Sequence, residues 1–338
     1  VEEILIEPGA VNALEEAMSE GFLKEYISPL LICDTNTCKA TEELMEDIYD
    51  RCQVLVLDAD DLKADRHAVE IVENYMDEDI DLILAVGAGT IHDISRYVAS
   101  QYKIPFVSVP TAASGDGFVS TTAVMTFNGI EEEVPAAVPV ALYADTNIFA
   151  KAPAGLNAAG AAELSDEKIS LSLIEDGEPE ACEKLMYALI LSGLCMQMVD
   201  SPRPVSGAEH MVSHMWDLNV LNENTKALHG EQVGIGLLII TDYYKRLAHA
   251  IRHKRVTVKS ETAKGLEMSL LEHTFGKKGL LEGILAENTP NPLEDIDLEQ
   301  LEEQLPQIED LIDDLPDADD MYAKLHDAGC MHEVSALG

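Results

Sequence analysis

Four short apolar runs recur at intervals through the first 110 residues, with helical patterns between them. The runs are "PLLICD", "CQVLVLD", "LILAVGAG" and "IPFVSVP", and the stretches between them include "ATEELMEDIYD" and "ADRHAVEIVENYM". Apolar runs this short are buried strands, and alternation with helices makes βαβ units in a parallel sheet covered on both faces. "VALYAD", at 140–145, is a last strand. Beyond it the β signals fade. "EPEACEKLMYALILSGLCMQMV" and "ALHGEQVGIGLLIITDYYKRLAHAIRH" are long helical patterns, and "PLEDIDLEQLEEQLPQIEDLIDDLPDADDMYAKLHDAG" has apolar residues at helical spacing among acids. That acid-rich run reads as a solvated helical face. The expected architecture is an α/β nucleotide-binding domain over 1–150 and an all-α domain over 151–338.

A chain of 338 residues suits about two domains. No apolar run approaches the roughly 20 residues of a membrane span, and "VEEILIEPGA" lacks the basic and apolar segments of a signal peptide. The six cysteines form no CxxC pair, which argues against a structural zinc site and against a disulfide framework. The expected compartment is the cytoplasm, with no membrane insertion. Net charge is −41, from 63 acids against 22 bases. Such a field repels nucleic acid at long range, and any phosphate must be held by a local, donor-rich site. Salt adaptation is one reading of the acidity; the lysine-dominated bases and the abundance of isoleucine and cysteine argue against it.

In "AVGAGTIHDISRYVA" a strand ends at Val86, and Gly87 and Gly89 open a helix through Thr90 and Asp93. Glycines there permit a tight turn and close approach of a phosphate to a helix N-terminus. The third position of a GxGxxG pattern is His92, so the turn alone also fits an ordinary structural role. "SVPTAASGDGFVSTTA" places Thr111, Ser114 and Asp116 in one loop after a strand, where open α/β sheets bind ligands. Asp34, in "CDTNT", follows a strand directly. It is placed either to accept a ribose hydroxyl and repel a 2′-phosphate, or to cap a helix.

"GAEHMVSHMWD" holds His210 and His214 four residues apart, and "ALHGEQVG" adds His229. On a helix, i and i+4 share a face, so the first two histidines either share one metal or divide two tasks. Three histidines with Glu209 and Glu231 in this span make a metal site plausible.

Taken in order, "GAGTIHDISRYVA", "PFVSVPTAASGDGF", "VALYADTNIFAKAPAGLNAAG", "RPVSGAEHMVSH" and "LHGEQVGIGLL" resemble the sn-glycerol-1-phosphate dehydrogenases, the bacterial branch most closely. That family lies within the dehydroquinate synthase-like group with glycerol dehydrogenases and iron-type alcohol dehydrogenases. The resemblance extends to "LPDADDMYAKLHDAG". It implies a Rossmann-like domain, a helical domain and a site between them. It also implies reversible reduction of dihydroxyacetone phosphate with NADH or NADPH, one divalent metal (zinc or nickel), and a homodimer.

Carried onto this chain, the resemblance makes His210 and His229 metal ligands. The third ligand is an aspartate in the family, and Glu163 stands in its place here, with Asp166 nearby. His214 then either faces the substrate or fills the helix face. The following stretch, "ISLSLIEDGEPEACEK", is shorter than the family pattern. The resemblance further puts the cofactor on Asp34, Gly87, Gly89, Thr90, Asp93, Thr111 and Ser114. Asp116 and His214 are the catalytic and substrate-contacting residues, and Arg203, His214 and Lys226 are candidates for the phosphate by their proximity in sequence alone. Two alternatives accompany this reading: a relative acting on an unphosphorylated polyol, and a silent nucleotide-binding paralogue, motivated by Glu163 and the shortened stretch.

Overall fold

The structure, a computed structural model, describes residues 1–127, 130–163, 171–199, 205–218, 220, 227–259, 268–290 and 296–337. The first part runs β1 (Glu3–Glu7), α1 (Ala10–Ser19), β2 (Pro29–Asp34), α2 (Thr35–Thr41), α3 (Glu46–Arg51), β3 (Gln53–Leu57), α4 (Arg66–Tyr75), β4 (Leu82–Gly87), α5 (Gly89–Tyr102), β5 (Phe106–Pro110), β6 (Thr122–Phe127), β7 (Ile130–Pro135) and β8 (Ala141–Asp145). Six of these strands form one parallel sheet in the order β1-β8-β5-β4-β2-β3. All four apolar runs are strands of it. "ATEELMEDIYD" is not one helix: α2 ends within it at Thr41 and α3 begins at Glu46.

Residue alternation sorts the sheet's two faces. Leu31, Cys33, Leu84, Val86, Val107 and Tyr143 pack with α1 on one side. Leu30, Ile32, Ile83, Ala85 and Phe106 pack with α4 and α5 on the other. Strands β4, β5 and β8 are buried at every position, so no polar face was needed and the runs read as continuously apolar.

Two features escape the periodicity argument. β1 is an edge strand that pairs with β8, far along the chain. β6 and β7 form an antiparallel hairpin apart from the main sheet, with Ala123 and Met125 buried against the α4–α5 side.

After β8 the described residues contain no strand. They form α6 (Thr146–Phe149), α7 (Ala154–Glu163), α8 (Leu171–Glu175), α9 (Pro179–Val199), α10 (Ala208–Asp217), α11 (His229–Arg252), α12 (Met268–Phe275), α13 (Leu281–Glu287), α14 (Leu298–Asp313) and α15 (Ala318–Asp327). One core joins the two parts, because Leu142 and Ala144 of β8 pack with Leu185, Met186 and Leu189 of α9.

α9 corrects one expectation. It has 21 residues, and an 18-residue window within it has a mean hydropathy of 1.3, so it is long and apolar enough by composition to cross a membrane. Here Ala181, Cys182, Leu185, Met186, Leu189 and Ile190 face the core, while Tyr187, Leu191 and Met198 face outward.

Candidate active site

The strand order turns at β2 and β4, and the carboxyl ends of β2, β4 and β5 lie side by side there. Asp34, Gly87 and Thr111 therefore sit along one edge of the sheet. The two glycines of the turn differ in what surrounds them. A Cβ on Gly87 would lie 2.5 Å from Cβ of Ile91, so Gly87 permits the strand–helix approach itself. A Cβ on Gly89 would meet nothing within 4 Å. No side chain caps the start of α5 from Ala88, so its first-turn N–H groups point into that open space. This is the geometry an anionic pyrophosphate fits. Thr90 is half-buried in the same first turn.

The residue at the third glycine position supports the turn from below. His92 is buried, its Nδ1 3.0 Å from Ala88 O and its Nε2 2.8 Å from Ser108 Oγ. Burial pushes its pKa down to about 3, so the ring is neutral. Thr111 is buried and its N–H donates to Gly87 O, tying the β5 loop to the turn. Asn157 of α7 accepts from Ala113 N at 2.8 Å, which fixes the loop just before Ser114. Asp34 caps α2: its Oδ1 accepts from Asn36 N and Thr37 N. Asp93 lies one turn into α5, away from the glycine turn and beside Arg96. Burial raises its carboxyl to about 6 against the pull of Arg96, the Val124 backbone and His229.

Arg96 is fully buried and donates to the carbonyls of Gly117, Ser120 and Thr122. It thereby holds the segment that leads from Asp116 into the hairpin. Asp116 accepts from Ser192 Oγ of α9 at 2.7 Å. Burial raises its pKa, opposed by that hydrogen bond and by His210 and His229.

The three histidines converge. Ring centroids are 5.6 Å apart for His210 and His229, 5.8 Å for His214 and His229, and 6.5 Å for His210 and His214. Small residues allow this, since a Cβ on Gly236 of α11 would lie 2.6 Å from Glu209 O and one on Gly230 would lie 2.1 Å from Ala159 O. α11 can therefore press against both α10 and α7.

His210 Nδ1 lies 2.8 Å from Glu209 Oε1, and His229 Nδ1 lies 3.7 Å from Asp217 Oδ2. His210 thus has a carboxylate at hydrogen-bond distance from Nδ1, and His229 has one at ion-pair distance, a carboxylate being a usual outer partner of a metal-ligating histidine. Two imidazoles sharing one ion through bonds of about 2.0–2.1 Å have centroids about 5 Å apart, so the 5.6 Å pair is near ligation geometry. Asp93, Asp116, Glu131 and Glu133 all interact electrostatically with His229. That negative surround favours a cation, and a divalent ion fits it.

Among the described residues, no three His, Cys, Asp or Glu donors converge as a complete ligand set. Glu163 ends α7, and its side chain lies outside the described residues, as do Asp166, Arg203 and Lys226.

The hairpin acids were not anticipated. Burial raises Glu131 to about 7, with the neighbouring Asp217 charge adding to the effect, and burial raises Glu133 as well. With His214, Met211 and Phe275 they line a cavity of about 710 Å³ beside the histidines. His214 is itself shifted down by burial and by His229. The sequence did carry a signal for the hairpin, the Asn-Gly pair in "TAVMTFNGIEEEVP", since Asn-Gly between alternating segments marks a tight turn.

A parallel sheet with an open glycine turn is joined to a helical part that supplies a histidine pair. Residues 5–153 match a family described as iron-containing alcohol dehydrogenase. A probable glycerol dehydrogenase from Sinorhizobium meliloti superposes with a TM-score of 0.57 at 16% identity, covering 93% of this chain and 98% of that one.

The relatives are more specific. The NAD(P)+ glycerol-1-phosphate dehydrogenase of Bacillus velezensis is 34% identical, over 73% of this chain and 73% of its own length. That of Geobacillus thermodenitrificans is 30% identical over 73% and 70%. The chain belongs to the glycerol-1-phosphate dehydrogenase family.

Proposed function

We propose that this chain is an NAD(P)-dependent, metal-requiring sn-glycerol-1-phosphate dehydrogenase, reducing dihydroxyacetone phosphate reversibly. The observation that carries the reading is the His210–His229 pair, with a carboxylate near each Nδ1, in a chain of this family. The ion is zinc or nickel, both of which accept imidazole and carboxylate. His210 and His229 hold it, with Glu163, or Asp166 in its stead, as the third ligand. When bound, the ion supplies Lewis acidity at the substrate ketone and the reduced nicotinamide supplies the hydride.

The remaining tasks fall to the chain's own residues. The first-turn N–H groups of α5, exposed at Gly89, hold the pyrophosphate, with Gly87 and Thr90 shaping that helix start. Asp34 accepts from the adenosine ribose, and Thr111 and Ser114 line the nucleotide cleft. Asp116, held by Ser192, contacts the substrate hydroxyl. His214 is neutral because burial lowers its pKa, and it offers a ring N–H to the substrate. Arg203 and Lys226 take the phosphate.

The division into domains falls at residue 150. Outward Tyr187, Leu191 and Met198 on α9 support a homodimer. All six cysteines are free, in keeping with the reducing cytoplasm.

The test is NADH oxidation by dihydroxyacetone phosphate after chelation, then with zinc or nickel restored. Loss and metal-specific recovery is the expected result. Turnover indifferent to chelation would remove the metal, and no turnover with either ion would favour the silent paralogue.

One observation favours a second reading. Glu131, Glu132 and Glu133 line the cavity beside His214, an unfavourable wall for a phosphate dianion. A polyol dehydrogenase would oxidise glycerol faster than glycerol 1-phosphate, and the comparison decides between them.

A further inference from the structure

Asp217 is the last residue of α10, and its two carboxylate oxygens face different residues. Oδ1 accepts from Gln232 Nε2 at 2.7 Å, while Oδ2 lies 3.7 Å from His229 Nδ1. Gln232 stands three residues after His229 in α11, is 3% exposed, and also donates from Nε2 to Ala227 O at 3.3 Å. The amide therefore cannot turn away without leaving buried polar groups unpaired. It fixes the carboxylate, which lies at ion-pair distance from the ring. The geometry is an acid–imidazole contact assembled across a helix pair and braced from behind by a buried amide.

A neutral imidazole has two tautomers, and only one nitrogen carries the lone pair. Ser213 Oγ also lies near His229 Nδ1, at 3.3 Å. A hydroxyl both donates and accepts, so it selects neither tautomer. An ionised carboxylate accepts only. It selects Nδ1–H, which leaves the lone pair on Nε2 and increases the ring's basicity.

We infer that Asp217, braced by Gln232, is a positioning residue that holds His229 as its Nδ1–H tautomer and so presents Nε2 to the divalent ion. The inference rests on the reading of His229 as a metal ligand. It adds a residue pair that neither the histidine spacing nor the family motifs single out.

The test uses the full chain, metal-stripped, with Co²⁺ as the probe. Asp217→Asn keeps the shape and the acceptor for Gln232, but its amide donates toward Nδ1. Ring ¹⁵N shifts should show Nδ1–H at His229 in the parent and Nε2–H in Asp217→Asn. Co²⁺ affinity, read from visible absorption against a competing chelator, should fall by about 10–100-fold in Asp217→Asn. Asp217→Glu, which keeps the carboxylate, should recover part of that loss and restore the Nδ1–H tautomer.

An unchanged tautomer with unchanged Co²⁺ affinity in Asp217→Asn would overturn the inference. His229→Ala separates the two readings. Co²⁺ affinity equal to the parent's would overturn His229 as a ligand, and with it the presentation of Nε2 to the ion. The ring shifts would still decide whether Asp217 sets the tautomer, because they need no metal.

Discussion

His210 in α10 and His229 at the start of α11 hold their rings 5.6 Å apart, while His214, on the same helix as His210, stands 6.5 Å from it. The closer partner comes from the neighbouring helix, not from the next turn. His210→Ala and His229→Ala should therefore each lose bound metal, with losses of affinity exceeding the about 10–100-fold typical of an outer-partner change. His214→Ala should keep its metal content and lose turnover or substrate affinity. Metal analysis of the three purified variants checks the division, and metal loss in His214→Ala would contradict it.

Gly87 and Gly89 should fail in opposite ways when changed to alanine. The new methyl at 87 would meet Ile91 at 2.5 Å, so Gly87→Ala should lower stability by about 1–3 kcal/mol through overpacking. At 89 the methyl enters open space, so Gly89→Ala should melt like the parent while binding NADH more weakly. Thermal unfolding and calorimetric titration with NADH separate the two effects.

Asp34 combines a helix cap with the position of a ribose acceptor. Asp34→Asn retains a side-chain oxygen for Asn36 N and Thr37 N, so stability should change by less than the about 1 kcal/mol that loss of a cap costs. Removing the charge should raise kcat/KM for NADPH relative to NADH. An unchanged ratio would assign Asp34 to capping alone.

His92 makes a signed prediction about pH. Its folded pKa, about 3, lies below the ordinary 6.5, so the unfolded chain binds the extra proton between those values. The neutral ring's contribution is complete above pH 6.5 and is lost as pH falls toward 3. Between pH 7 and pH 5 the loss is about 2 kcal/mol. Asp93, raised to about 6, acts in the opposite sense, favouring the folded state as pH falls through 6. His92→Gln leaves Asp93 in place, so the difference between the two stability–pH curves, measured by urea unfolding, isolates His92. Parallel curves would refute the prediction.

A net charge of −41 should make stability depend on salt. Raising ionic strength from 0.1 M to 1 M shortens the screening length from about 10 Å to about 3 Å and weakens self-repulsion. The melting temperature should rise across that range in sodium chloride. A flat response would mean the acids are already balanced by local partners.

The class of the fold was legible in local sequence because each layer carries its own period. Buried parallel strands are short apolar runs and helices repeat at 3.6 residues, so "LILAVGAG" followed by "TIHDISRYVA" announces a strand, a turn and a helix without reference to anything distant. Gly87, Thr111, His210 and His229 stand out as candidates for the same reason, each lying in a compact motif. What tertiary structure alone decided is which motifs meet. β1 pairs with β8 because the edge of a twisted sheet was open there, not because the two are near in sequence. The β6–β7 hairpin brings Glu131 and Glu133 against the histidines by folding across α5, and nothing local to those glutamates distinguishes them from the many solvated acids of this chain. Asp217 reads as one more acid at a helix end until α11 packs close enough for Gln232 and His229 to reach it. That approach depends on Gly236, whose missing side chain lets α11 lie close against the α10 backbone. Chemical identity was written residue by residue, and the distances that turn those residues into a site were set by packing.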